Sequence, residues 1–256
     1  MCLILFALHS HPKYKLVLAS NRDEFYNRPT QTAQPWADIP HIIAGRDLKA
    51  MGTWMGITTT GRIAMLTNYR DPAREKKNAP TRGKLVSDFL RSNLSAKDYL
   101  HQTAPSGDHY NGFNLIVGDS DHMYYWSNYG KNIELLDAGL FGLSNHLLNT
   151  PWPKVTKGKE KLKNWIEAEN PDIESIFSEL YDDLNAPDHL LPDTGIGEEH
   201  ERLLSPMFIK SGTYGSRCSS IILIDHDDNA IFLERSYEVP TFIHHTVKWQ
   251  FKIEKQ

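Results

Sequence analysis

MCLILFALHSHPKYKLVLASNRDEFYNRPT, residues 1–30, sets an apolar run at Leu3–Leu8 and another at Lys15–Ser20 on either side of His11-Pro12. Two short apolar runs joined by turn residues predict an antiparallel hairpin. Paired positions across a hairpin sum to a constant. A turn centred between His11 and Pro12 sets that sum at 23, with Cys2 opposite Asn21. The thiol then shares one end of the hairpin with the charged string Asn21-Arg22-Asp23-Glu24, which closes the second strand. Alternation directs Asn21 and Asp23 to one face, and Ser20 and Arg22 to the other.

A cysteine at position 2 has a chemical consequence. Met1 is removed efficiently when the next side chain is small, so the mature chain is expected to begin at Cys2. A free α-amine has a reference pKa of ~7.7–8.0 and a thiol one of ~8.5. One terminal residue can thus supply both a nucleophile and the base that activates it. Asp23 is placed to orient the amine, and Arg22 to favour the thiolate. The plainer reading of the same residues is a small buried cysteine and a solvated, ion-paired strand end.

Apolar residues make up 40% of the 256-residue chain and charged residues 23%, an ordinary balance for a globular protein. The net charge of −4 and the scattered lysines and arginines give no basic groove, so nucleic acid is not an expected partner. No apolar run nears the ~18 residues of a membrane span. Two cysteines and no secretory leader lead us to expect a cytoplasmic protein. No repeat or long linker divides the chain, and a single domain over residues 1–256 is expected.

Further strands are expected at Ile42–Gly45, Trp54–Thr58, Arg62–Asn68, Phe113–Val117, Met123–Ser127 and Leu140–Ser144. A hairpin is expected around Asp227-Asp228-Asn229, and a last strand at Thr246–Ile253. Thr81–Leu90 and Ser95–Gln102 read as helices opened by capping residues, and Lys154–Glu169 and Asp172–Leu184 as two more. Strands at both ends with helices between them predict an α+β class.

The opening segment, together with GTWMGITTTGRIAMLTNYRDP, TRGKLVSDFL, YNGFNLIVGD, LFGLSNHLLNTPWPKV, LPDTG and TYGSRCSSIILID, resembles the NRDE family, which is named for its tetrapeptide and includes the transport and Golgi organisation 2 proteins. The likeness runs in order through almost the whole chain. It implies an Ntn-hydrolase-like fold, a four-layer αββα sandwich. A more distant likeness is to the cysteine Ntn amidases, the penicillin V acylases and bile salt hydrolases. That resemblance implies Cys2 as nucleophile and Asp23 as partner of the amine or thiol. It implies an oxyanion hole from the backbone N–H of Tyr69 and the side-chain amide of Asn145, with Arg217 as a late arginine. Asn21, Arg22 and Asn68 are the implied substrate- or ligand-binding residues. The amidases carry an arginine three positions before the acid; here that position is Ser20.

The expected activity is hydrolysis of a non-peptide amide C–N bond in a small-molecule or lipid-like substrate, without a cofactor. The alternative is a carrier of haem or an acyl lipid, with Cys2, His9, His146 or Met51 as soft ligands. LPDTG at 191–195 lacks the apolar tail of a sorting signal and reads as a loop. The stretch from Asp225 to Ser236 has Ala230 and Ser236 where a calcium loop needs glycine and glutamate. No histidine pair has structural-zinc spacing, and no metal is expected. A Cys2–Cys218 disulfide is not expected in a reducing compartment.

Overall fold

The computed structural model describes residues 3–130, 132–169 and 171–254. β1 (Leu3–Leu8) and β2 (Tyr14–Phe25) form the expected hairpin, followed by β3 (Thr30–Trp36), β4 (Ile39–Asp47), β5 (Met55–Thr58) and β6 (Ile63–Asn68). Helices α1 (Gly83–Arg91) and α2 (Ala96–Thr103) precede β7 (Phe113–Gly118), β8 (Met123–Ser127), β9 (Ile133–Leu136) and β10 (Gly139–Leu143). Then come α3 (Pro153–Glu167), α4 (Ile173–Leu180) and α5 (Glu198–Leu203), and finally β11 (Tyr214–Asp225), β12 (Asn229–Glu238) and β13 (Ile243–Lys252). Among the described residues the strands form two antiparallel sheets, ordered β10-β1-β2-β11-β12-β13 and β3-β4-β5-β6-β7-β8-β9.

The layers follow from which faces are apolar. β1 is buried along its whole length. Ile4, Phe6 and Leu8, with Leu16 and Leu18 of β2, enter the core between the sheets. Leu3, Leu5 and Ala7, with Val17 and Ala19, pack outward on Val155 and Leu162 of α3 and Phe177 of α4. On the second sheet, Leu85, Val86, Phe89 and Leu90 of α1 cover Ala64, Leu66 and Leu115. Each such Leu, Ile, Val or Phe side chain contributes about 1.5–3 kcal/mol by leaving water. The result is the expected αββα sandwich.

The β1–β2 register differs from expectation by one. Leu3 pairs with Asn21 and Ile4 with Ser20, a constant of 24. The reason is parity: directly opposed side chains share a face, and the inward apolar sets of both strands are even-numbered. Cys2 itself lies outside the described residues. β2 also continues to Phe25, because β11 pairs with it as far as Tyr214. The charged string therefore sits within a ladder, not after it. β11 carries a bulge: Ser216 pairs with Asp23 and Cys218 with Arg22, leaving Arg217 as the extra residue.

Other elements shift or are new. β3 and β9 are strands the sequence pattern did not reveal. Both are edges of their sheet, and β3 contains Pro35, which only an edge tolerates. β13 begins at Ile243, earlier than expected, and α4 stops at Leu180. Ser95 caps α2 by accepting the Asp98 N–H at 3.1 Å, as expected. α1 begins at Gly83 with no side-chain cap. No helix among the described residues is long and apolar enough to cross a membrane.

Candidate active site

Two polar clusters flank the start of β1. β2 carries the first and the ends of β6 and β10 the second: Leu3 pairs with Asn21, and Ile4 pairs with Leu143.

In the first cluster, alternation separates the side chains as the sequence suggests. Asn21 is fully buried and faces the helices. Its Nδ2 donates to the carbonyls of Leu180 (2.8 Å) and Met207 (2.7 Å), and its Oδ1 accepts from Ser219 Oγ (2.6 Å). Both amide donors are taken by carbonyls, so Asn21 anchors the helical layer and is not carried forward as a ligand contact. Asp23 is 4% exposed. Its Oδ1 accepts from Ser216 Oγ at 2.5 Å, and Ser216 Oγ in turn accepts the Ile209 N–H. Asp23 Oδ2 has no hydrogen-bond partner among the described residues.

Arg22 points the other way, between the sheets. Its guanidinium lies 4.1 Å from the centre of the Trp54 ring, and its Nη2 is 3.6 Å from Glu24 Oε2. Its Nη1 is buried with no partner among the described residues. Arg217 turns inward beside it, donating from Nη1 to the carbonyls of Phe25 (2.9 Å) and Arg28 (3.0 Å). Burial, and then the positive charge of Arg22, lower the pKa of Arg217. Ser20, which stands where the amidases have arginine, has its Oγ 3.8 Å from Met55 Sδ.

In the second cluster Asn145 joins the two sheets. Its Nδ2 donates to the Asn68 carbonyl at 3.0 Å, its Oδ1 lies 3.4 Å from Arg70 Nη2, and its carbonyl accepts the Arg70 N–H at 2.8 Å. Arg70 is fixed by Glu201 at 2.6 Å, which also accepts the Thr194 N–H of the LPDTG loop. The backbone N–H of Tyr69 corrects an expectation: it donates to the Gly112 carbonyl at 2.9 Å, so it is occupied and does not face a ligand. The Tyr69 ring instead stacks on Tyr129 at 3.9 Å, and its hydroxyl meets His146 Nε2 at 2.8 Å. His146 Nδ1 meets Thr150 Oγ1 at 2.9 Å, and burial lowers the histidine's pKa.

Of the soft ligands expected of a carrier, Cys2 lies outside the described residues. His146 is engaged at both ring nitrogens. His9 follows the far end of β1, roughly 20 Å from Leu3 along the strand at ~3.3 Å per residue. Met51 lies 51% exposed in the β4–β5 loop. Among the described residues no three His, Cys, Asp or Glu side chains gather to hold a metal ion.

Sequence reasoning missed two features. One is Glu234, buried between the sheets, whose Oε1 accepts the Ala33 N–H at 2.7 Å and whose Oε2 lies 3.4 Å from Ser220 Oγ. Its signal was present: alternation from Ala230 through Phe232 points Glu234 inward. The other is a groove of about 430 Å³ near the start of α3, lined by Pro151, Pro153, Leu184, Leu190 and Met207. It is assembled from segments far apart in the chain and has no local signature.

The family model for transport and Golgi organisation 2 matches residues 1–239. The chain belongs to this family. It is 38% identical to the mouse "Transport and Golgi organization 2 homolog", over 92% of this chain and 93% of that one. It is 37% identical to the human homologue, with the same shares covered. Among solved structures, the mutant C2A conjugated bile acid hydrolase from Clostridium perfringens aligns with a TM-score of 0.50 and 8% identity, covering 100% of this chain and 98% of that one. That likeness speaks for the fold of this chain, the Ntn-hydrolase-like sandwich.

Proposed function

We propose that this family member is an N-terminal-cysteine amidohydrolase acting on a non-peptide amide. The observation that carries the reading is the pairing of Leu3, the residue after Cys2, with Asn21, two residues before Asp23, whose buried Oδ2 has no partner among the described residues. A buried carboxylate oxygen without a donor is expensive unless something fills the gap. The free α-amine of Cys2, exposed by removal of Met1, is the donor we assign to it.

In the proposed reaction the amine takes the thiol proton and the thiolate attacks the amide carbonyl. The tetrahedral oxyanion forms, the C–N bond breaks, and the leaving amine takes the proton. A thioester remains, and water hydrolyses it to release the acid and restore the thiol. Asn145, braced by Asn68 and Arg70, is the side-chain donor to the oxyanion. The groove beside Met207 is lined by Pro151, Pro153, Leu184 and Leu190 as well as by Lys154, Lys157 and Asp182, and its apolar wall suits an acyl part of the substrate.

An amide panel spanning short and long acyl chains tests the reading. Turnover lost in Cys2→Ala supports it, and turnover unchanged in that variant removes it. Haem titration of the same protein tests the carrier alternative, which requires a Soret shift that Cys2 or His146 substitution abolishes.

A further inference from the structure

The inner face of the first sheet carries two polar rows beside its apolar core. Ser20, Ser220 and Glu234 stand in one cross-strand row, and Arg22, Cys218 and Ser236 in the next. Thr30 and Thr32 of β3 and the bulged Arg217 close over the second row around a chamber of about 100 Å³.

The donors in this chamber are not all satisfied. Arg22, 4% exposed, leaves Nη1 without a partner among the described residues, and its Nη2 has Glu24 only at 3.6 Å. Arg217 faces the same space. Glu234 stands on the inner wall with its Oε1 taken by the Ala33 N–H. A buried guanidinium N–H without an acceptor is costly unless something fills the gap. The arrangement is that of a receptor for an anion.

We propose that this chamber is an anion subsite that receives the carboxylate of a small-molecule ligand between Arg22 Nη1 and Arg217, with the hydroxyls of Thr30, Thr32 and Ser236 as further donors. The chamber of about 100 Å³ has room for a carboxylate group, whose planar shape suits the arginine fork. The proposal goes beyond the hydrolase reading and survives its failure, since binding is measured without turnover.

The test uses the full chain carrying Cys2→Ala, melted at fixed ionic strength with sodium acetate, acetamide or inorganic phosphate. Acetate at about tenfold its Kd is expected to raise Tm by about 2–4 °C. Acetamide should not, and Arg22→Gln should abolish the rise. Isotope-filtered NOEs from [13C]acetate to the methyls of Thr30 and Thr32 are expected as well. No response to acetate, equal responses to acetate and acetamide, or a response kept in Arg22→Gln would overturn the subsite. A larger response to phosphate that depends on Arg22 would overturn the carboxylate assignment. If Arg22→Gln fails to fold, the half-exposed Arg217→Gln and the NOEs decide: bound acetate without contacts to either threonine methyl overturns the proposal.

Discussion

The side chain of Asn145 donates to the backbone carbonyl of Asn68 at 3.0 Å, tying the end of β10 in one sheet to the end of β6 in the other. The same residue holds Arg70 through its carbonyl and its Oδ1. A residue that straps two sheets together at the mouth of the site has a structural and a chemical role at once.

Asn145→Ala should therefore show two separable losses. Removing the strap should lower stability by about 1–2 kcal/mol, read from thermal or urea melts. On the proposed chemistry kcat should fall by about 10²–10³ with KM little changed. Asn145→Asp, which keeps an acceptor for Arg70 and loses the amide donor, should lose the same activity. Unchanged kcat in both variants would take Asn145 out of the site and leave only the strap.

Asp23→Asn should lower stability and activity together. The amide keeps an acceptor for Ser216 Oγ, but the Cys2 amine assigned to the second oxygen loses its counter-charge. Tm should fall, and turnover should fall by at least about tenfold. A drop in Tm with full activity would mark Asp23 as a structural ion only.

Glu234 gives a dependence on pH with a defined sign. Burial raises its pKa above the ordinary glutamate value of 4.5. Between that value and the raised one the folded chain binds more protons than the unfolded chain, so stability falls as pH rises. Glu234→Gln retains an acceptor for the Ala33 N–H and removes the effect. The variant should match the wild type near pH 4 and exceed it in Tm at pH 7.5. A gap independent of pH would show that Glu234 does not titrate across this range.

The two cysteines should differ in reactivity. Cys218 is 4% exposed, and burial followed by the Glu234 charge pushes its thiol pKa well up. Iodoacetamide at pH 7.5 should label Cys2 in the native protein and Cys218 only after unfolding. Intact mass of protein from cells should correspond to a chain beginning at Cys2. Native labelling of neither thiol, or full retention of Met1, would count against the proposed nucleophile.

The layered fold was legible because β1 and β2 are apolar on both faces, a pattern that requires cover on each side. Even their register could have been fixed by parity, since Ile4, Phe6, Leu8, Leu16 and Leu18 had to share a face. β3 and β9 were not legible, because an edge strand needs no apolar alternation. In the candidate site, the hairpin pointed to Asp23, and the resemblance to the amidases pointed to Asn145. Partners such as Trp54 for Arg22 and Ala33 for Glu234 come from the opposite sheet. The engagement of the Tyr69 N–H by Gly112 depends on a strand neighbour that no local pattern specifies.

The extra residue at Arg217 acts as a change of phase. Downstream of it, Cys218 and Ser220 look between the sheets while Ser219 reaches Asn21 on the helical side. Upstream of it, Ser216, although also even-numbered, reaches Asp23 on the helical side. One strand thus serves an acid on one face and an arginine on the other from positions two residues apart. Spacing there is constrained in steps of two: any odd insertion or deletion between Ser216 and Cys218 would exchange which face each side chain serves. It would also displace Gly215, where a Cβ would come within 2.3 Å of both Tyr26 Oη and the Ile209 carbonyl. Length in that segment, as much as side-chain identity, decides which face each residue of this strand serves.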